Sequence, residues 1–319
     1  MIRYLLRRLG MTAAVVLVLT VFLAALARIV PGDPVTLIMG PRASPQFAAQ
    51  VREEMGLDEP IWTQAGTFLW GAVRGDLGTD FVSNQPVSQI VATNLPHTVL
   101  LAFTALAIAA AAGIPLGVYA ATRPGTILDS VTSLFSVSLI TMPSYVSGLL
   151  LLLIFPVLLG VLPATGAGDL SSPADYLRHL ILPALALAVV WIGYLARVVR
   201  SSMLEVMGAT YIRAARAQGI RERTIYYRYA LKNAIVPTVA LLGVSLGDLL
   251  GGAVFVEVIF SRPGLGSQIV DAISTRNYPI VQGGVLVIAI MFVLANLVAD
   301  LSYRFLDPRI RVEESRSSA

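Results

Sequence analysis

The chain has 319 residues, of which 56% are hydrophobic and 13% charged, with a mean hydropathy of +0.77 and a net charge of +4. A soluble domain carries about 25% charged residues, so there is too little polar material here to cover one or two water-facing domains, and a membrane protein with several spans is predicted. The absence of Cys excludes disulfides, thiolate nucleophiles and Cys-based metal sites; two distant His argue against a His-rich metal site; and the single Lys, Lys232, lies in no Gly-x-x-x-x-Gly-Lys sequence, so any ATP hydrolysis belongs to another polypeptide.

A helix needs about 20 mostly apolar residues to cross the hydrocarbon core. Six stretches qualify in chain order, 9–30, 97–121, 130–160, 180–199, 234–256 and 280–303. The first, after the basic start 1–8, has a rival reading as a cleaved signal peptide ending near Ala25-Leu26-Ala27, but its apolar run is longer than a usual signal core. The exterior piece that follows, 31–96, has seven prolines. Ser44-Pro45 reads as an N-cap with a first-turn Pro, and Phe47, Val51 and Met55 follow at helical spacing up to Gly56. Ile61, Ala65, Phe68, Leu69 and Ala72 form a second helical stripe, so two short helices on the outer mouth are expected. The third span is over-long and contains Pro143 and Pro156, which predicts a kink or an added turn.

Placing both termini inside puts sixteen basic residues on the cytoplasmic side against six outside, the distribution that sets membrane orientation. Eight of the sixteen lie between Arg197 and Lys232, at the end of the fourth span and in the loop that joins it to the fifth. From Tyr211 to Gln218 it contains good helix formers with no breaker until Gly219, which suits a helix C-terminus. A short helix parallel to the membrane is predicted there, with Ala214, Ala215 and Ala217 allowing close approach of another surface and Arg213 and Arg216 able to pair with acidic groups on it. A solvated basic loop touching anionic lipid is the plainer alternative.

Arg213-Ala-Ala-Arg-Ala-Gln-Gly219 with Pro237 downstream resembles the EAA loop of ABC importer permeases, and more closely the dipeptide/oligopeptide/nickel branch of first-permease type. The resemblance extends over nearly the whole chain: Pro31-Gly-Asp-Pro34, Gly56-Leu-Asp58, Arg74-Gly-Asp-Leu-Gly78, Gln85-Pro-Val87, Leu95-Pro96 opening span two, Gly252-Ala-Val-Phe-Val-Glu257, Phe260-Ser-Arg-Pro-Gly-Leu-Gly266, Tyr278-Pro279, Gln282-Gly-Gly284 and Asp307-Pro-Arg-Ile-Arg311. Arg213 stands where the general motif has Glu, and the interval from Gly219 to Pro237 is longer than in sugar-importer relatives. Both departures resemble the peptide branch.

The resemblance implies an all-α integral membrane protein of type I importer fold with a MetI-like core and six spans. Its divisions are an N-terminal span 1–30, a mostly helical periplasmic segment 31–93, a transmembrane domain 94–304 enclosing a coupling loop 200–233, and a cytoplasmic tail 305–319. It implies half of a pore in the bacterial inner membrane, paired with a second homologous permease, with two ATPases beneath carrying the ATP and Mg, and a solute-binding protein outside. No cofactor, metal or catalytic residue is implied in this chain. Tyr211, Arg213, Ala214, Ala215, Arg216, Ala217, Gln218 and Gly219 would form the helix gripped by an ATPase, and Ala215→Trp is expected to uncouple ATP use from transport.

Within the spans, Gly243, Gly247 and Gly251, and Gly113 and Gly117, recur at intervals of four, which lets helix backbones approach closely. Asp248 lies near the middle of span five, where insertion of a charge costs about 2.5–3.5 kcal/mol. It is a candidate for the translocation path, with Ser245 expected on its face. A protonated Asp bonded to a neighbouring helix and a contact with the partner permease are the alternatives. Asp300 is expected to pair with Arg304, Glu257 and Asp271 to be hydrated at the outer face, His97 and His179 to sit at outer span ends, and Tyr226, Tyr227 and Tyr229 at the membrane interface. A secondary transporter using Asp248 would need further intramembrane carboxylates or a repeat of broken helices, and a membrane enzyme would need a catalytic constellation. Peptides are the expected cargo, with nickel chelates, opines, glutathione and oligosaccharides the other cargoes of the branch.

Overall fold

The computed structural model describes residues 2–29, 59–169 and 171–306, which are almost entirely helical. The elements are α1 (Ile2–Ile29), α2 (Ile61–Val73), α3 (Val87–Thr122), α4 (Ile127–Ile140), α5 (Ser144–Leu152), α6 (Pro173–Met207), α7 (Thr210–Ala217), α8 (Val236–Ile259), α9 (Leu265–Ser274) and α10 (Tyr278–Leu306). Two π-helical turns, Leu153–Leu158 and Ile225–Ala230, interrupt this order. The expected helix at 44–56, the Asp300–Arg304 side-chain pair and the tail lie outside the described residues.

Among the described residues four helices are long and apolar enough to cross a membrane: α3, α6, α8 and the described part of α10. A fifth span results if α4 and α5 are taken together, and α1 carries a shorter apolar run, Gly10–Leu26. The over-long third stretch is therefore two helices bent by 103°. Pro143 begins the second of them, because it has no N–H to continue the ladder and it pushes the preceding residue out of the helical region. Two other expected starts move. α3 begins at Val87 with Pro96 and His97 in its interior, and α6 begins at Pro173 with Pro183 inside. The missing Pro N–H costs one helical bond, which flanking turns tolerate. Around Pro96, Thr93 and Asn94 return side-chain bonds to the Gln89 and Ile90 carbonyls.

The chain divides into two compact units. In the unit formed by 99–262 and 294–319, α6 is the central helix, packed by α4, α5 and α8. Its small residues set the spacing. A Cβ added at Gly193 would lie 2.5 Å from the Ser136 carbonyl oxygen, and one at Gly113 would lie 2.9 Å from that of Ile192. The other unit, 1–98 with 263–293, is built on a core of Leu77, Val87, Val91, Leu265, Ile269 and Ile280. There α2 packs on α1 with Ala65 inward, as its stripe predicts, and the α3 Thr98 hydroxyl accepts the Leu265 N–H at 2.9 Å, capping α9.

Candidate functional site

The segment joining α6 to α8 carries α7, a two-turn helix. It starts at Thr210 after extended Ala209 and stops at Gly219, whose φ of +74° is a left-handed value that only Gly adopts without strain. The Gly219 N–H reaches the Arg216 carbonyl at 3.0 Å and the Ile220 N–H reaches that of Ala215 at 3.2 Å, so the last carbonyls are satisfied. Two of the helix's residues face inward. Ile212 is 0% and Ala215 4% exposed, packed with Val118, Met203, Ile225, Ala230 and Ala234. Tyr211, Arg213, Ala214, Arg216, Ala217 and Gln218 are exposed.

Electrostatics stiffen the turn that follows. Arg216 donates to both Glu222 carboxyl oxygens, at 2.7 and 3.3 Å. That hydrogen bond holds the Glu222 carboxyl below its ordinary range and raises Arg216, while burial, with Glu222 second, pushes the Tyr226 hydroxyl up. Asn233 donates to the Tyr211 hydroxyl at 2.8 Å, tying the start of α7 to the approach to α8. Among the described residues Arg213 reaches only Thr210, at 3.2 Å. The expectation that Ala215 offers close fit to another surface is corrected: Ala215 closes the chain's own core, and Ala214 and Ala217 are the small residues that face out.

In α8, Ser245 and Asp248 are i,i+3 neighbours on the helix but differ in environment. Ser245 is buried and donates to the Leu242 carbonyl at 2.8 Å, whereas Asp248 is exposed, in a stripe with Val244, Gly251, Phe255 and Val258. A three-residue separation leaves about 60° between side chains, enough to put one in a contact and the other outside it. The glycines also divide. A Cβ at Gly243 would collide with Ala299 of α10, and one at Gly117 would lie 2.8 Å from the Val199 Cβ. Gly247 is buried, whereas Gly251 meets nothing within 4 Å. Glu257, expected to be hydrated, is 0% exposed, whereas Asp271 is exposed. Glu257 lies in the field of Arg262, itself buried, which donates to the Tyr176 hydroxyl at 2.6 Å and covers that ring at 4.8 Å. Burial lowers the Arg262 pKa, against the opposing influence of Tyr176 and Glu257. Among the described residues no group of three or more His, Asp or Glu is placed to hold a metal ion.

Two family descriptions match this chain: residues 113–312 match the binding-protein-dependent transport system inner membrane component, and residues 1–102 match the N-terminal part of such membrane components. The chain belongs to this family. A Brucella abortus protein (strain 2308) assigned to a peptide transport system as a permease is 41% identical over 311 residues, 97% of this chain and 98% of its own length. The dipeptide transport system permease protein DppB of Escherichia coli K12 is 37% identical over 336 residues, covering 98% and 99%. Among solved structures, a chain of the MetNI methionine ABC transporter in an inward-facing conformation superposes with a TM-score of 0.56 at 19% identity. It covers 69% of this chain and 97% of that one, and it shows a shared fold. This chain is thus a permease of the ABC importer type, a transport subunit and not an enzyme.

Residues that periodicity did not single out also organise the permease. In the unit formed by 1–98 with 263–293 the motifs 74–87 and 278–284 come together. Gly75 and Gly78 take left-handed φ values of +85° and +88°, Asp76 accepts the Gly78 N–H at 2.9 Å, and Gly283 lets α10 approach Leu77 and Val87. Asp80, singled out by no motif, accepts from the Val82 and Ser83 N–H groups at 2.9 and 3.1 Å, from the Ser83 hydroxyl, and from the amide of Asn277. Burial raises the Asp80 pKa, but these bonds outweigh it and hold the carboxyl below its ordinary value. In the unit built around α6, Asp129 takes two bonds from Arg200 at 2.6 and 2.7 Å and one from the Gly125 N–H at 3.0 Å. The signal for such pairs is a lone acid beside an apolar run, but its partner is 71 residues away and cannot be found from spacing.

Proposed function

We propose that this permease forms half of a translocation pore for peptides or similar small solutes, with a second homologous permease as the other half. Two ATPase subunits carrying ATP and Mg lie beneath it, and a solute-binding protein delivers cargo from outside. In this reading both termini are cytoplasmic, the segment 31–93 is periplasmic, the transmembrane domain runs from 94 to 304, and 305–319 is a cytoplasmic tail. The relatives named for peptide and dipeptide transport support the cargo class.

The observation that carries the mechanism is the division of α7 into two faces. Ile212 and Ala215 root the helix in the permease core, while Arg213, Ala214, Ala217 and Gln218 are presented outward. A short, stiff helix with a small-residue outer face fits a groove on a neighbouring ATPase, and its two-point root transmits displacement to α6 and α3 through Met203 and Val118. Alternating access then requires two discrete packings of the helices, biased by the nucleotide state of the partners. The exposed α8 stripe around Asp248 is the candidate surface for the path or for the second permease.

The test is ATP-dependent uptake of a labelled dipeptide by proteoliposomes holding the permease pair, the ATPases and the binding protein. Because the chain has no native Cys, one Cys placed at Ala217 also reports sidedness with a membrane-impermeant reagent. Uptake without the ATPases, or labelling of residue 217 from outside intact cells, would overturn the reading.

A further inference from the structure

The run between α7 and α8 contains an open cavity of about 380 Å³ lined by Arg223, Thr224, Tyr227 and Arg228. Local backbone geometry creates it. A short α-helical turn, Glu222–Thr224, runs into the π-helical turn Ile225–Ala230, and Arg223 and Arg228, one from each, line the same cavity. The same turn is anchored from behind by Ile225, Ala230 and Ala234, all buried, so the polar set faces away from the core. The two guanidinium groups differ from their neighbours. Arg216 is taken by Glu222 and Arg200 by Asp129, whereas neither Arg223 nor Arg228 has a side-chain partner among the described residues. Two unneutralised planar donors beside a Thr and a Tyr hydroxyl form a site for a phosphate-type anion.

The geometry points to this cavity as a binding site for the phosphodiester headgroup of an anionic phospholipid in the inner leaflet. The inference rests on the orientation proposed above for the α7 segment. Three features select lipid over soluble phosphate. The chain enters the α8 span at Val236, eight residues after Arg228, or about 12 Å along a helix. Tyr227 and Tyr229 are exposed beside the arginines, and Tyr is a residue of the membrane–water boundary. Lys232 adds a further positive charge on the approach to the membrane, where anionic headgroups attract juxtamembrane basic residues. The site would hold the segment behind α7 against the bilayer, giving the helix a fixed fulcrum.

The test uses the full-length permease, incubated with mixed phosphatidylglycerol and phosphatidylcholine vesicles, extracted in mild detergent and weighed by native mass spectrometry. Wild type should retain phosphatidylglycerol in preference to phosphatidylcholine. R223Q/R228Q should lose that preference by about tenfold or more, the order expected for two arginine–headgroup pairings. R123Q/R197Q, which removes the same two charges elsewhere, should retain it, and R223K/R228K should restore part of it. Equal retention by wild type and R223Q/R228Q, or equal loss in R123Q/R197Q, overturns the site. Displacement of the lipid by millimolar inorganic phosphate assigns it to a soluble phosphate instead. The measurement contains no ATPase and no transport step, so failure of the proposed coupling leaves it interpretable, and the label at residue 217 reports orientation separately.

Discussion

Neighbouring residues on α7 should respond in opposite ways to the same change. Ala214 is exposed and Ala215 is 4% exposed against Met203, Ile225 and Ala230, one residue or about 100° around the helix away. A Trp at 214 projects from the protein and should alter the stability of the permease by no more than about 0.5 kcal/mol, the usual range for surface substitutions. A Trp at 215 must displace a packed core and should cost about 1–3 kcal/mol or more. Ile212→Ala, at a fully buried position, should cost about 2–5 kcal/mol through the lost methyl groups and the cavity they leave. The assay has two readouts for each variant: thermal unfolding of the purified permease, and co-purification of the ATPase subunits with nucleotide-driven uptake. Ala214→Trp should unfold like wild type yet lose ATPase binding and transport. Ala215→Trp and Ile212→Ala should lose both stability and transport. An Ala214→Trp variant that assembled and imported normally would refute the docking role of the outer face; an Ala215→Trp variant of unchanged stability would refute the assignment of that residue to the core.

Three other predictions follow from packing and charge. Gly243→Leu should destabilise the permease by about 1–3 kcal/mol, because even a Cβ collides with Ala299, while Gly251→Leu should leave the stability of the isolated chain unchanged; denaturant titration of both variants checks the contrast. Asp129→Ala should cost about 1.5–3 kcal/mol, nearer the lower figure since the Arg200 side chain is 30% exposed, and should not add to Arg200→Gln in a double-mutant cycle. The lowered Asp80 pKa means that its contribution is fully present above the unfolded-state value of about 3.9 and is lost as pH falls through the folded-state value below it. Hydrogen-exchange protection across residues 76–86, meaning the rate corrected for the intrinsic pH dependence of amide exchange, should therefore be unchanged from pH 7 to about pH 5 and fall only in stronger acid, with that acid-dependent step absent in Asp80→Asn.

The sequence by itself determined what depends on local or summed properties. Apolar run lengths are additive along the chain, so the helical membrane class and four of the six span positions were legible, with a fifth where α4 and α5 together make one span, though several ends were not. α7 was legible because helix formers followed by Gly219 act within two turns. The helix at 61–73 was legible from its stripe. What only tertiary structure decided is which face of an element meets which neighbour. Composition cannot separate Ala214 from Ala215, or Asp248 from Ser245, because a helix turns about 100° per residue and the direction of the core is set by other helices. The same reason explains the glycines, of which Gly113, Gly117 and Gly243 sit at backbone approaches while Gly251 faces open space. Long-range polar pairs were wholly tertiary. Glu257 reads as a hydrated surface charge until the fold buries it near Arg262, itself buried against Tyr176, and Asp80 finds Asn277 across 197 residues. Hydrophobic periodicity records burial averaged over a stretch, whereas a buried ion or amide depends on a specific partner, and the identity of that partner is a property of the fold.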